Sequence, residues 1–282
     1  MKTKTKIFLA SVAYNAVSML RKVAGKNNIA RVSRSGVNWE LDLSEGIDFS
    51  IYLLGAFERS TAHTLDRLAA PGATVFDIGA NIGAHTLPLA RKVGQAGRVF
   101  AFEPTTFAFG KLQRNLSLNP ELQGRVHASQ MLLTDDPAAS IKKEIYSSWP
   151  LSGKDNLHPK HGGQLSTTTG ARSDTLDAFV EREGISKLDL IKIDVDGNEY
   201  PVLHGGAQTL SRLRPTILLE LSPYVHAEEG NSFASLVELL KSIGYSLEEV
   251  GSERRLPMSV AELERLIPDG GSINAIARFG PR

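Results

Sequence analysis

Between Thr74 and Gly83 the chain runs from a short apolar stretch, Thr74–Ile78, into a turn of small residues, Gly79-Ala80-Asn81-Ile82-Gly83. A helix is predicted next, over about residues 83–92. Strand, tight turn and helix in this order constrain the fold more than any other feature, because such units close as right-handed crossovers onto a parallel sheet. The pattern then repeats. A turn at residues 95–97 leads into a strand at Arg98–Phe102, Pro104 opens a helix ending near residue 119, and residues 125–133 read as a third strand. Further strands are predicted at residues 188–193, Thr216–Leu221 and Ile273–Phe279, and an amphipathic helix at Phe233–Ile243. Asp174 is expected to cap a helix over 175–182, and Ser259 with Glu262 to form a capping box. Residues 149–163 are rich in Pro, Gly, His and Lys and read as a long surface loop. The expected class is α/β.

Composition narrows the chemistry. The 282 residues are 41% hydrophobic, enough for a sizeable core, and contain no cysteine, which excludes disulfides, thiolate zinc sites and a thiol nucleophile. The formal net charge of +1 hides an asymmetry. Eight basic residues (Lys2, Lys4, Lys6, Arg21, Lys22, Lys26, Arg31, Arg34) precede Glu40, the first acid, leaving 24 basic against 31 acidic side chains in residues 40–282. Leu9, Ala13, Ala16, Leu20 and Val23 recur at helical spacing within this arm. Three readings stay open for it: a helix docked on its own domain or a subunit, a membrane-surface or partner contact, and a signal peptide. Docking leads, and no run reaches the roughly 18 apolar residues of a membrane span. Alternating apolar residues over 30–54 suggest short antiparallel strands. The expected division is therefore an N-terminal extension over 1–60, basic helix plus short strands, and a catalytic domain over 61–282.

The turn itself indicates a ligand. Small residues at a strand-to-helix junction let the backbone approach a bound molecule. One strand later Val99-Phe100-Ala101-Phe102 ends in Glu103, placed where a carboxylate can accept both hydroxyls of a ribose. A dinucleotide turn needs G-x-G-x-x-G, whereas these glycines are spaced G-x-x-x-G, with Asn81 where the second would fall. Asp77 would also repel a pyrophosphate. An acid there suits the ammonium end of S-adenosylmethionine instead.

Four segments in this order resemble the FkbM-type methyltransferases: VFDIGANIGAHTLPLA; GRVFAFEPT with LQRNLSLN; TLDAF leading to LDLIKIDVDGNEYPVLHGGAQTL; and RPTILLEL. The upstream GAFERSTAHTL is similar too. One departure is DVDG at Asp194–Gly197, where the family more often has DVEG, which leaves the contact of Asp196 open. The resemblance implies a Rossmann-like seven-stranded methyltransferase sheet, mostly parallel with an antiparallel last strand, and S-adenosyl-L-methionine as cofactor. It further implies that Asp77, Gly79, Ala80, Asn81 and Gly83 form the cofactor turn and that Glu103 holds the ribose. Glu58 would lie near the methionine end, and Leu133, Thr134 and Asp135 would wall in the adenine.

Methyl transfer needs an aligned acceptor, exclusion of water and, for a hydroxyl, a group to take its proton. Such groups belong at the C-terminal ends of the fourth and fifth strands. Asp194 is the first candidate, as base or as anchor, and Glu220 the second. A helix cap is the competing reading of Asp194, and Glu199 is assigned to the helix N-terminus. Residues 194–199 superficially resemble a calcium loop, but Gly197 falls at the fourth position rather than the sixth, so that motif fails. The three clustered acids leave a divalent metal such as magnesium open as a minor alternative, and no metal ligand is assigned. His158, His161 and His226 could line an acceptor pocket, whereas His85 and His204 read as packing or surface residues. The expected protein is a cytoplasmic S-adenosylmethionine-dependent O-methyltransferase acting on a hydroxyl or carboxyl of a sugar, glycolipid or secondary metabolite. Its partner is then a small-molecule or glycan acceptor, with a homo-oligomer, or a membrane or partner contact through the basic arm, left open. Nucleic acid is not expected, since the body is acidic. The alternatives are an RNA or protein methyltransferase and a non-catalytic cofactor-binding scaffold.

Overall fold

The computed structural model describes residues 3–138, 141–152, 157, 163–252 and 254–280, with the backbone alone for residues 3–9. The chain opens with a helix, α1 (Thr3–Val23), a hairpin, β1 (Ile29–Arg34) and β2 (Val37–Asp42), and two helices, α2 (Gly46–Leu54) and α3 (Arg59–Leu68). The alternating part follows as β3 (Thr74–Ile78), α4 (Thr86–Val93), β4 (Arg98–Phe102), α5 (Thr106–Ser117), α6 (Pro120–Gln123) and β5 (Val126–Ser129). Short strands β6 (Met131–Leu133), β7 (Glu144–Ser147), β8 (Gln164–Thr167) and β9 (Arg172–Asp174) lead into α7 (Leu176–Arg182). Then come β10 (Leu190–Ile193), α8 (Glu199–His204), α9 (Ala207–Leu213), β11 (Thr216–Leu221), α10 (Pro223–Glu228) and α11 (Phe233–Ile243). The chain closes with β12 (Tyr245–Glu249), β13 (Arg255–Leu256), α12 (Val260–Leu266) and β14 (Ile273–Phe279).

The main sheet has eight strands in the order β13-β12-β14-β11-β10-β3-β4-β5. Strands β5, β4, β3, β10 and β11 are parallel to one another, and β14 is antiparallel to both β11 and β12. The seven expected strands are present with the final one reversed. The eighth, β13, adds two residues at an edge. Strand order reverses between β3 and β10, and that switch point is where the C-terminal strand ends open a crevice. The central strands are buried on both faces: β10 is buried throughout, and Val75, Phe76 and Ile78 of β3 are equally enclosed. One layer packs Phe76, Phe100, Phe102 and Phe179 edge-to-face, with ring centroids 4.8–5.8 Å apart. The other layer holds Tyr14, Trp39, Leu41, Phe49 and Leu87.

Four local expectations need correction. Residues 46–54 form a helix, not a strand. Ile47, Phe49 and Ile51 alternate in sequence yet are all buried, because α2 is enclosed on more than one side, with Phe49 meeting the Tyr14 ring of α1 at 5.9 Å. Gly55 ends that helix with φ 84°, returning its N–H to Ile51 O. Residues 125–133 are two strands rather than one. β5 stays in the main sheet, while β6 leaves it to pair with β9. The cap of α7 is Thr175, whose side chain accepts from Ala178 N, and Asp174 instead pairs with Arg182. Ser259 makes no side-chain cap bond, so the capping box does not form.

Candidate active site

A cavity of about 1250 Å³ opens at the C-terminal ends of β3, β4, β10 and β11. That exceeds the roughly 300–1,000 Å³ of a typical single-ligand pocket. Among the described residues its walls carry eight carboxylates (Glu58, Glu103, Glu144, Asp194, Asp196, Glu220, Glu228, Glu229) against Arg59, Lys142 and Lys192. Gly79, Ala80, Asn81 and Thr134 join them on the wall, as do Ala10 and Ala13 of α1 and Leu53 and Leu54 of α2.

The glycine turn is built for close approach rather than for phosphate. Gly79 sits at φ 77°, and a Cβ there would fall 1.9 Å from the Asp194 carbonyl oxygen. Other residues are sterically excluded. The turn's amides are spent internally. Gly79 N and Ala80 N donate to Phe102 O, Asn81 N donates to Glu103 Oε2 at 2.9 Å, and Ile82 N donates to the Asn81 side chain. Glu103 Oε1 accepts from Thr105 N at 2.9 Å and from the Thr105 hydroxyl. Burial raises the Glu103 carboxyl, and these donors oppose that shift. A carboxylate so held, with an edge on the cavity, fits a pair of ribose hydroxyls, while the acidic walls and spent amides fit a cationic ligand and not a pyrophosphate. The residues therefore fit S-adenosylmethionine.

Asp77 and Gly83 are not on the cavity wall. Asp77 is fully buried beneath the turn, where its Oδ2 accepts from the Thr86 hydroxyl at 2.6 Å and its Oδ1 lies 3.3 Å from Lys192 Nζ. Gly83 has φ 88°, and its missing side chain leaves room for Leu112. Asp135 is also off the wall and pairs with His204 Nδ1 at 3.2 Å. Glu58, at the N-cap of α3 with φ 41°, accepts from the Thr61 hydroxyl at 3.0 Å.

Asp194 and Glu220 do come together at the adjacent ends of β10 and β11, and Asp196 joins them on the same wall. Loss of surrounding water, and then the charge of Asp194, pushes the Glu220 carboxyl up to about 8. Among the described residues no cluster of His, Asp and Glu is arranged to hold a metal ion.

Two participants were not expected. Lys192 is buried within β10, donates to Gly79 O at 2.8 Å and lies 3.7 Å from Asp194 Oδ2. Burial alone would depress its ammonium, but Asp77 and Asp194 more than offset this and raise it. The sequence did carry a signal, a lone lysine inside the apolar run Leu-Ile-Lys-Ile, since a buried charge demands a partner. His85 was expected to be a packing or surface residue but forms part of the cavity wall, 95% buried, with no hydrogen-bond partner at Nε2. Burial and then Lys192 push its imidazole down to about 3, so it is neutral. His226 goes the other way. It lies under the wall, fully buried, with Nε2 3.1 Å from Glu199 Oε2, and does not line the pocket. His158 and His161 lie outside the described residues.

Strand order β5-β4-β3-β10-β11 with a reversed β14, a tight glycine turn after the first strand and an acid after the second define the Rossmann-like methyltransferase class. Residues 77–247 match the model of the methyltransferase FkbM domain, and the chain belongs to that family. Methyltransferase sdnD of Sordaria araneosa is 32% identical over 155 residues, a match spanning 46% of this chain and 59% of that protein. The 31-O-demethyl-FK506 methyltransferase FkbM of Streptomyces tacrolimicus is 27% identical over 63% of this chain and 74% of its own. The 2-O-methyltransferase NoeI of Sinorhizobium fredii is 25% identical over 62% of this chain and 74% of its own.

Proposed function

We propose that this protein is a cytoplasmic O-methyltransferase that moves a methyl group from S-adenosylmethionine to a hydroxyl of a sugar, glycolipid or secondary metabolite. The observation that carries the reading is Glu103, clamped by Asn81 N and Thr105 at the edge of a cavity whose walls are predominantly acidic. When bound, the cofactor supplies a sulfonium methyl, an electrophile at carbon. Glu103 accepts its ribose hydroxyls, Glu58 faces the methionine end, and Thr134 lies on the adenine side. Asp77 acts from beneath through Lys192 and Thr86, and Gly83 through helix packing. Asp194 orients the acceptor hydroxyl and takes its proton, with Glu220 as the second candidate base. The cavity exceeds a single-ligand pocket, which supports an acceptor bound beside the cofactor. The excess of carboxylates favours a neutral hydroxyl over a carboxylate acceptor and disfavours a polyanion such as RNA. The family relatives include enzymes named for methylation at oxygen, which supports the same class of acceptor. We assign the chemistry to residues 61–282, with residues 1–60 closing one wall.

Calorimetry with S-adenosylmethionine tests the reading directly, and absence of binding would sink it. Glu103→Ala is expected to weaken binding about 10- to 100-fold, the loss of strong hydrogen bonds to a charged group. Asp194→Ala should slow methyl incorporation by about 100-fold or more while leaving cofactor affinity near wild type. Undiminished turnover in that variant would remove Asp194 from the chemistry.

A further inference from the structure

Helix α1 carries two apolar faces, and the fold uses one of them. Tyr14, with Ala13 and Val17 beside it, packs into the core against α2. Val12, Ala16, Met19, Leu20 and Val23 recur at i, i+4, i+7, i+8 and i+11 on the opposite side. That stripe is open to solvent, with Val12 53%, Met19 71%, Leu20 70% and Val23 82% exposed. A contiguous stripe of this length, with Lys22 and Lys26 exposed at its C-terminal end, is a surface that ordinarily has a partner.

Charge selects the partner. The stripe lies in a segment with eight basic residues and no acid before Glu40. Lys22 and Lys26 are exposed close to it, while Arg21 is tied to Asn27 O and Ile29 O. Two copies meeting along this face would bring like charges together, and a basic partner is excluded for the same reason. An anionic bilayer satisfies both features, since the apolar stripe enters the acyl boundary while lysines meet the headgroups. Neither signal alone suffices for stable attachment, and both are present on one helix. Among the described residues no helix is long and apolar enough to cross a membrane, so the contact lies in the surface plane.

We propose that the outer face of α1 docks the protein on anionic lipid bilayers. The docking rests on this surface alone and not on the methyl-transfer reading. Because Ala10 and Ala13 on the inner side of the same helix line the cavity, a docked molecule would have α1 between its cavity and the bilayer.

The test is co-sedimentation of the full chain with vesicles of phosphatidylcholine and phosphatidylglycerol at roughly 7:3, compared with phosphatidylcholine alone. Binding is expected to the anionic vesicles only, and to fall about tenfold or more in 0.5 M salt. Met19→Glu combined with Leu20→Glu should reduce it by a similar factor, with thermal melting and S-adenosylmethionine affinity unchanged. Lys22→Glu should weaken it to a lesser degree. Equal sedimentation of the double variant, or no preference for the anionic vesicles, would overturn the proposal. So would a wild-type dimer in analytical ultracentrifugation that the double variant abolishes without any vesicle binding, since that would put a second copy on the stripe.

Discussion

Lys192 shows how a single buried charge organises the site. Its ammonium holds Asp77 under the turn, the Gly79 carbonyl within the turn and Asp194 at the cavity wall. Removing one member of a buried pair leaves the other uncompensated in a poor dielectric, so Lys192→Met should cost about 3–5 kcal/mol of stability in urea denaturation. Lys192→Met combined with Asp77→Asn should recover much of that loss, and strict additivity of the two would disprove the coupling. Glu220 makes the opposite contribution. Its folded value of about 8 lies above the ordinary 4.5, so the native state binds more protons than the unfolded chain between those pH values. Its contribution is present below about pH 4.5 and is lost as pH rises through 8. Glu220→Gln should therefore raise the melting temperature relative to wild type by an amount that grows from pH 5 to pH 8. If the two melting curves shift in parallel across that range, the carboxyl is not held up in the folded protein.

At the scale of elements, α1 and α2 decide how the cavity is closed. Phe49 is buried between α2 and the Tyr14 ring, and the Tyr14 hydroxyl accepts from Asn28 Nδ2 at 2.9 Å. Phe49→Ala removes a large side chain from a packed interior and should destabilise the protein by about 3–5 kcal/mol. Met19→Glu on the outer face of the same helix pair should change stability by less than about 0.5 kcal/mol. Chemical denaturation of both variants checks the contrast, and similar losses would mean that the outer face is packed after all. The strands show a related division of labour. β3 and β10 carry Asp77 and Lys192 inside otherwise apolar stretches, so the sheet itself delivers the charges to the switch point. The break after β5 has a similar consequence. Its continuation, β6, leaves the sheet and supplies Met131, Leu132 and Leu133 to the cavity wall.

For the whole molecule, the near-zero net charge resolves into a basic arm and a cavity lined, among the described residues, by eight carboxylates and three basic side chains. The two fields suit the two ligands proposed above, a cationic cofactor inside and an anionic surface outside. Much of this was legible in the sequence. The strand-turn-helix repeat, the glycines and Glu103 are encoded by short-range sterics and by hydrophobic period, which need no distant neighbour to be read. That is why the parallel strands and the acid at the end of the second strand match expectation, whereas the reversed last strand was implied only by the family resemblance. Residues 46–54 were misread because a helix enclosed on several sides loses its amphipathic period, and Ile47, Phe49 and Ile51 then mimic a strand. Asp77 was placed in the turn but lies beneath it, since sequence gives order along the chain and not depth. The sequence by itself determined the fold class, the tight glycine turn and the charge asymmetry. Only the tertiary structure decided that Asp194, Asp196 and Glu220 share one wall, that Lys192 ties the turn to them, and that one apolar face of α1 is open to solvent. Those facts depend on burial and on contacts between segments far apart in sequence, which local pattern does not encode.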